Sequence, residues 1–478
     1  MPKSSIISEV QRVTGMNRHL VTRLGLTLTT LASQADNESV SQVASTSSER
    51  VAISRFFNNE NVNADAILAS HARMTEERAE SHEVVLFAQD TTEISLPERV
   101  DGIGTTNDNK TFGYFIHPLL AITTDGLPLG CFAHKIWTRN IDRKTGNTRE
   151  NMLRRTPFEE KESYRWYEGY QTTGEFARRH PGITSVCLAD SEADMYNLLA
   201  MDRPTPNLHL VVRAFRDRLH VDEDESKEVV RIGDKLLSSP VLGTYKIKAR
   251  ARTTKDKGKR HELHDERDAT VEMHACPIRF QRPPLNHNPK KYVSMNAVLV
   301  KEVDVPQGET PIEWVLLTTL IVNTYDDAKK VVDYYKKRWQ IEIFFRTLKE
   351  GCAIEKRRHG SFKSAQTCAS LLMIIAWHIM AITYTARQRP KESCLSYFEP
   401  NEVNALYAFI DKTQDFPKEM PTLGDFIVKL AALGSYSPKS KYPPGVKVIW
   451  KAIRDLILIT TCWEQFTAIS NGGSPGKG

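Results

Sequence analysis

The sequence predicts a mixed α/β architecture, on three observations. Two short apolar runs, 83–89 and 183–189, each stop at an aspartate, Asp90 and Asp190. Runs of this length, rich in branched and aromatic residues and closed by turn formers, read as buried strands. Charged helical patterns lie between the strand-like segments, and helical periodicity takes over at Asp326 and continues nearly to the end. Strands and helices in this order fit an α/β or α+β sheet domain.

In chain order, residues 1–70 are polar and rich in Ser and Asn, with short helical patterns such as 18–32, which carries Leu20, Leu24, Leu26, Leu28 and Leu31. Residues 34–50 read as loop and helix caps, and Arg55-Phe56-Phe57 leads towards a helix over 63–75. Strand patterns at 113–124 and 129–138 flank Asp125-Gly126, a hairpin turn signal. A charged helical stretch occupies 157–179, a helix opens from Ser191, and a strand follows at 208–214. From 215 to 320 strand-like segments dominate (244–253, 269–276, 292–303 and 313–322), punctuated by Pro and Gly, and read as a β-rich insertion.

At 478 residues the chain has room for two or three domains. Its 40% hydrophobic and 26% charged content belong to an ordinary globular protein with a large core. A net charge of +6 and a pI near 8.8 suit a polyanionic partner without requiring one. The seven cysteines, Cys131, Cys187, Cys276, Cys352, Cys368, Cys394 and Cys462, are odd in number and scattered, with no Cys-x-x-Cys pair. This favours a reducing compartment and speaks against a structural zinc site. The first residues lack the apolar core of a signal peptide. The run 371–382, broken by His378, is too short to span a bilayer and reads as a buried helix. A cytoplasmic protein with no membrane partner is expected. The Gly/Ser/Pro-rich end, 471–478, reads as a flexible tail.

Residues 335–349 concentrate unusual chemistry. On one continuous helix advancing about 100° per residue, Tyr335, Arg338, Glu342, Arg346 and Lys349 share a stripe about 80° wide. Ile341, Phe344, Phe345 and Leu348 form a separate apolar face. The stripe reads either as a solvated face with ion pairs worth about 0.2–0.5 kcal/mol each, or as a metal-binding carboxylate beside phosphate-binding cations. The spacing Tyr-x2-Arg-x3-Glu-x6-Lys is specific.

That spacing resembles the Tyr-Arg-Glu-Lys signature of bacterial cut-and-paste insertion-sequence transposases of the DDE class. The resemblance implies a ribonuclease-H-like catalytic core, a mixed sheet flanked by helices. It implies that Glu342 is the third catalytic carboxylate and that Tyr335, Arg338 and Lys349 hold DNA phosphates, with Arg346 keeping a positive charge beside them. Asp90 in Phe-Ala-Gln-Asp-Thr-Thr and Asp190 in Leu-Ala-Asp-Ser-Glu-Ala-Asp resemble the first two catalytic motifs. Read alone, an aspartate at a strand end is more often a turn residue or helix N-cap. Three carboxylates suit Mg²⁺, with Mn²⁺ able to substitute, and two ions per active site would clamp the attacking and leaving oxygens. Glu192 and Asp194 stay open between supporting these ligands and capping a helix.

Lys246, Lys248, Arg250, Arg252, Lys255, Lys257, Lys259 and Arg260 form a basic run, either a solvated hairpin or a phosphate-contact patch whose binding falls steeply with salt. Trp314 alone reads as core, whereas the resemblance implies that it stacks on a flipped base, with Thr318 nearby. Arg213 and Arg218 match arginines the family places near the active site, while Phe215 and Asp217 depart from its pattern.

The expected organisation is a helical DNA-end-recognition domain over 1–65 and a catalytic core over 66–365 with the insertion at about 215–320. A helical dimerisation region over 366–470 and the tail 471–478 follow. The amphipathic segment 446–466 reads as packing within its own subunit, or, by the resemblance, as part of a homodimer in the synaptic complex. The implied partners are double-stranded transposon-end DNA and target DNA, met in the bacterial cytosol beside the nucleoid. The implied reaction passes through a 3′ hydroxyl and a hairpin. A structure-selective nuclease that does not join ends, or a catalytically silent DNA-end-binding protein, are the alternatives.

Overall fold

The structure, a computed structural model, describes residues 6–33, 46–139, 156–224, 229–249, 252–256, 259–264, 267–284, 286–307, 309–413, 416–440 and 442–470, with the backbone course alone given between 249 and 264. The first elements are α1 (Arg18–Ser33), α2 (Ser47–Phe57), α3 (Ala64–Ala79), β1 (Val84–Gln89), β2 (Thr92–Ser95), β3 (Gly113–Thr123) and β4 (Pro128–Trp137). Then come α4 (Tyr164–Arg179), β5 (Thr184–Ala189), α5 (Tyr196–Leu199), β6 (Leu208–Arg213), β7 (Leu219–His220), β8 (Val230–Arg231) and α6 (Ile232–Ser238). The β-rich stretch holds β9 (Val241–Ala249), β10 (Arg252–Asp256), β11 (Lys259–His264), β12 (Arg267–Gln281), β13 (Tyr292–Val303) and β14 (Glu313–Thr318). Helices α7 (Tyr325–Lys337), α8 (Gln340–Arg346), α9 (Phe362–Gln388), α10 (Pro400–Asp411), α11 (Leu423–Ala431) and α12 (Val446–Ser470) close the chain. The chain forms two compact units, one of Met1–Ser81, Thr91–Thr145 and Gln340–Gly478, the other of His82–Asp90 and Gly146–Trp339.

The second unit is built on a mixed sheet in the order β1-β5-β6-β14-β13-β12-β9. Strands β1, β5 and β6 run parallel, with Ala88 opposite Leu188 and Ala189 opposite Val212. Both β1 and β5 are buried at every residue but the first, which is why their sequences are nearly continuous apolar runs rather than alternating ones. Helix α4 lies close to the sheet at Gly169, where an added Cβ would collide with Gln89 Oε1. The Gln89 amide donates instead to Trp166 O at 3.2 Å and to Cys187 Sγ at 3.1 Å. The expected β-rich stretch is present, and it continues this sheet: β14 pairs antiparallel with β6, and β13, β12 and β9 follow antiparallel. One apolar cluster under the sheet joins Trp166 and Tyr170 to Phe280, Met295 and Leu317.

The first unit contains the antiparallel strands β2-β3-β4, with the expected hairpin turning at Gly126 (φ 97°). Helix α3 approaches β4 where Gly130 leaves no Cβ to strike Thr75. Helix α9 spans 27 residues, longer than the run 371–382 suggested, and is long and apolar enough to cross a membrane; 94% of its apolar window is nevertheless buried in the fold. Its Trp377 indole donates to Pro128 O at 3.0 Å. Beside it lies a buried ionic cluster. Arg78 Nη1 meets Glu9 Oε1 at 2.8 Å and His71 Nδ1 meets Glu9 Oε2 at 2.6 Å. His71 Nε2 accepts the Cys131 N–H at 2.9 Å, so the ring proton sits on Nδ1 and is donated to Glu9.

Helix α12 divides along its length. Ile449, Trp450, Ala452 and Leu456 are buried within their own unit, whereas Leu458, Phe466 and Ile469 are 46%, 69% and 55% exposed. The tail 471–478 and most of 34–50 lie outside the described residues, although α2 begins at Ser47, capped by Thr46.

Candidate functional site

The sheet register places the two aspartates. Continuing the β1–β5 pairing two residues beyond Ala88 and Leu188 sets Asp90 beside Asp190. Continuing β5–β6 one residue beyond Ala189 and Val212 sets Asp190 beside Arg213. Asp90, Asp190 and Arg213 therefore lie at the carboxyl ends of neighbouring parallel strands, where open α/β sheets collect their ligand-binding groups. Strand neighbours stand about 4.8 Å apart, so the register puts the Asp90 and Asp190 backbones on adjacent strand ends. Arg338 answers the first: its Nη1 meets Asp90 Oδ2 at 3.0 Å. Asp190 also performs the capping role its position allows, with Oδ1 accepting the Glu192 N–H at 2.9 Å.

Arg338 is brought there by α7, which opens on a capping box. Thr324 accepts the Asp327 N–H, and the Asp327 carboxylate accepts the Thr324 N–H in return. The helix does not continue as expected. It stops at Lys337, Arg338-Trp339 form a turn, α8 starts at Gln340, and a π-helical turn covers Thr347–Gly351. In the turn the Arg338 and Trp339 N–H groups reach back three residues, to Tyr335 O and Lys336 O, instead of four as in an α-helix. The single stripe read over 335–349 presumed an uninterrupted helix and is corrected accordingly. Tyr335 and Arg338 belong to one compact unit, and Glu342, Arg346 and Lys349 to the other.

Around Arg338 the aspartate-bearing unit gathers an aromatic wall. Tyr335 is buried, and Trp314 meets its ring edge-on at 6.1 Å. The Arg338 guanidinium lies 5.7 Å from the Tyr335 ring centre. Burial raises the Tyr335 phenol above its usual pKa, with Arg338 and Arg213 pulling the other way. The phenol therefore stays a neutral hydrogen-bonding group. Trp314 stands half-buried on β14. Thr318, four residues on, is fully buried; its hydroxyl donates to Leu210 O at 2.9 Å and accepts the Leu320 N–H at 3.1 Å. Its side chain is thus enclosed at the end of β14.

Arg218 and Asp194 form a lock that the sequence did not reveal. Arg218 Nη1 meets Asp194 Oδ1 at 2.6 Å, with the carboxylate side chain wholly inaccessible. Asp194 Oδ2 also accepts the Phe215 and Arg216 N–H groups at 2.8 and 2.9 Å. Arg218 thus spends its charge holding the loop after β6, and the Asp194 carboxylate is engaged by that loop, while its backbone N–H caps the short turn Ser191–Ala193. Glu192, 62% exposed, pairs with Arg165 at 3.1 Å.

In the other unit, Glu342 is half-buried on α8 and Arg346 is exposed at its end. Lys349 pairs with Glu355 at 3.2 Å. Of the basic run, β10 and β11 pair as a ribbon with Lys255 opposite Arg260 and Asp256 opposite Lys259, while Arg250 and Lys257 lie outside the described residues. No group of three His, Cys, Asp or Glu side chains stands close enough to hold a metal ion among the described residues. Asp90 and Asp190 are the part of the expected carboxylate set that the sheet itself brings together.

Asp90 and Asp190 thus end adjacent strands, with Arg213 on the next strand and Arg338 paired to Asp90. Residues 85–378, well over half the chain, match the family described as transposase DDE domain. The matched span begins in β1 and ends in α9, and so takes in Asp90, Asp190 and Glu342. The chain belongs to the transposase DDE domain family.

Proposed function

We propose that the protein is a cut-and-paste DNA transposase of the type represented by the transposon-five transposase. The observation that supports this most is the row of Asp90, Asp190 and Arg213 at three strand ends, with Arg338 beside it, in a chain of this family. Asp90, Asp190 and Glu342 would hold Mg²⁺ or Mn²⁺, two ions per active site, through hard carboxylate oxygens. When bound, such ions polarise the scissile phosphate and raise the nucleophilicity of a water or a 3′ hydroxyl.

The chain's own residues do the rest. Arg213, Arg338, Arg346 and Lys349 supply positive charge to DNA phosphates near the cut, and Tyr335 supplies a neutral hydroxyl. Trp314, half-buried against Tyr335, offers its ring to a displaced base. The β10–β11 ribbon, with Lys255, Lys259 and Arg260, adds a phosphate-contact arm, to which Lys257 belongs by sequence. Arg218 acts by shaping the loop after β6.

In the proposed reaction, water attacks a phosphodiester at the transposon end, and the bond to the departing 3′ oxygen breaks to free a 3′ hydroxyl. That hydroxyl attacks the opposite strand, closing a hairpin and expelling the flanking DNA. Water reopens the hairpin, and the same 3′ hydroxyl then attacks target DNA. Residues 1–65 would recognise the transposon end, 66–365 would carry the chemistry, and 366–470 would support a homodimer that holds two ends in the cytosol. A plasmid carrying the element's own ends, incubated with protein and Mg²⁺, should yield joined products; cleavage without joining would assign the protein to the nucleases of the same superfold.

A further inference from the structure

We propose that Phe215 is a stacking contact for an unpaired DNA base at the catalytic end of the sheet, an inference that rests on the transposase reading above. Phe215 is 77% exposed, more than any other large apolar side chain among the described residues. A single exposed apolar residue is ordinary, so exposure alone assigns nothing. Its mounting is what distinguishes it.

The backbone that carries the ring is fixed by three hydrogen bonds. Ala214 donates to Val315 O on β14 at 2.8 Å. Phe215 and Arg216 donate to the buried Asp194 carboxylate, which is itself held by Arg218. The fold thus commits a buried ion pair to a loop whose outermost group is an aromatic ring.

Position and neighbours name the occupant. Phe215 follows Arg213 by two residues, and Arg213 stands next to Asp190 in the sheet register. Arg213 and Arg216 on either side are exposed. An exposed aromatic ring flanked in the chain by two exposed arginines fits a nucleotide, with the phosphates taken by arginine and the base by the ring. A fully paired duplex presents no free base face, so the contact selects a strand that has been opened. Trp314 is already half-buried against Tyr335, and Phe215 provides a second and more open platform.

The test uses the full chain and two fluorescent probes of one arbitrary sequence: a paired duplex, and a fork whose unpaired arm carries a single 2-aminopurine. Wild type should bind the fork and alter the 2-aminopurine emission. Phe215→Trp should keep both properties. Phe215→Ala and Phe215→Leu should lower the ratio of fork to duplex affinity by at least about fivefold and restore the free-probe emission. A ratio in Phe215→Ala equal to that of wild type, or Phe215→Leu matching Phe215→Trp, would overturn the stacking contact while leaving the transposase reading intact. Wild type that binds neither probe would overturn both. Thermal melting of each variant, expected to match wild type because the ring packs on little, shows that a loss is not misfolding.

Discussion

Arg338 Nη1 lies 3.0 Å from Asp90 Oδ2, with the two side chains only 12% and 17% exposed. A guanidinium therefore holds the carboxylate proposed to bind metal, and a bound metal ion would compete with it for Asp90. Arg338→Ala should raise Mn²⁺ affinity in the absence of DNA by about three- to tenfold, since a partly shielded pair of this kind is worth about 1 kcal/mol. The same change should weaken DNA binding. Calorimetric titration with Mn²⁺ checks the first effect; an unchanged or weaker affinity would show that Arg338 does not compete.

The Asp194–Arg218 lock predicts a contrast between neighbouring acids. Asp194→Ala leaves a shielded arginine without its counter-ion and two loop N–H groups without an acceptor. The expected loss is about 3–5 kcal/mol. Glu192→Ala breaks an exposed pair and should cost no more than about 1 kcal/mol. Denaturant midpoints compare the two directly, and equal losses would refute the lock.

The buried cluster around Glu9 makes stability sensitive to acid. Burial alone would raise the Glu9 pKa, but His71 and Arg78 outweigh it and hold the carboxyl at about 2, down from the usual 4.5. A depressed carboxylate pKa stabilises the fold above pH 4.5, and that contribution fades as pH falls from 4.5 towards 2. His71, pushed below 6.5 mainly by burial, acts in the same direction, because the unfolded chain takes up its proton first as pH falls through 6.5. Glu9→Gln should cost on the order of 3 kcal/mol at pH 7 and flatten the acid limb of the stability profile. A profile parallel to wild type between pH 7 and 3 would contradict this.

The two halves of α12 predict different truncation phenotypes. Removal before Val446 takes away Ile449, Trp450 and Leu456 from the core and should destabilise the subunit by several kcal/mol. Removal after Ile457 takes only the exposed half, and should leave end binding intact while abolishing the proposed paired-end complex. Native gels with labelled ends check this, and paired complexes that survive the shorter truncation would exclude that half-helix as the dimer contact.

Where one force dominates, the sequence was legible. Tyr292–Val303 forms the strand expected over the same residues, and β1 and β5 stop at Asp90 and Asp190 as buried apolar runs should. The short β2, Thr92–Ser95, escaped notice because four residues carry too little periodicity. The break at Arg338-Trp339 escaped for another reason. Neither Pro nor Gly marks it, and helical periodicity persists on both sides, so only tertiary structure shows the interruption. Among the site residues, Asp90, Asp190 and Arg213 follow from strand ends. The engagement of Arg218 by Asp194 and the burial of Thr318 depend on contacts between distant segments, which no local pattern encodes.

We propose that Asp90, Asp190 and Glu342 act together on DNA. The most direct test is Mg²⁺-dependent cleavage of a plasmid bearing the element's own ends, by wild type and by Asp90→Asn, Asp190→Asn and Glu342→Ala. Each variant should bind the ends within about threefold of wild type and lose at least about a hundredfold in cleavage. Undiminished cleavage by any one of the three would rule out that residue as a member of the catalytic set.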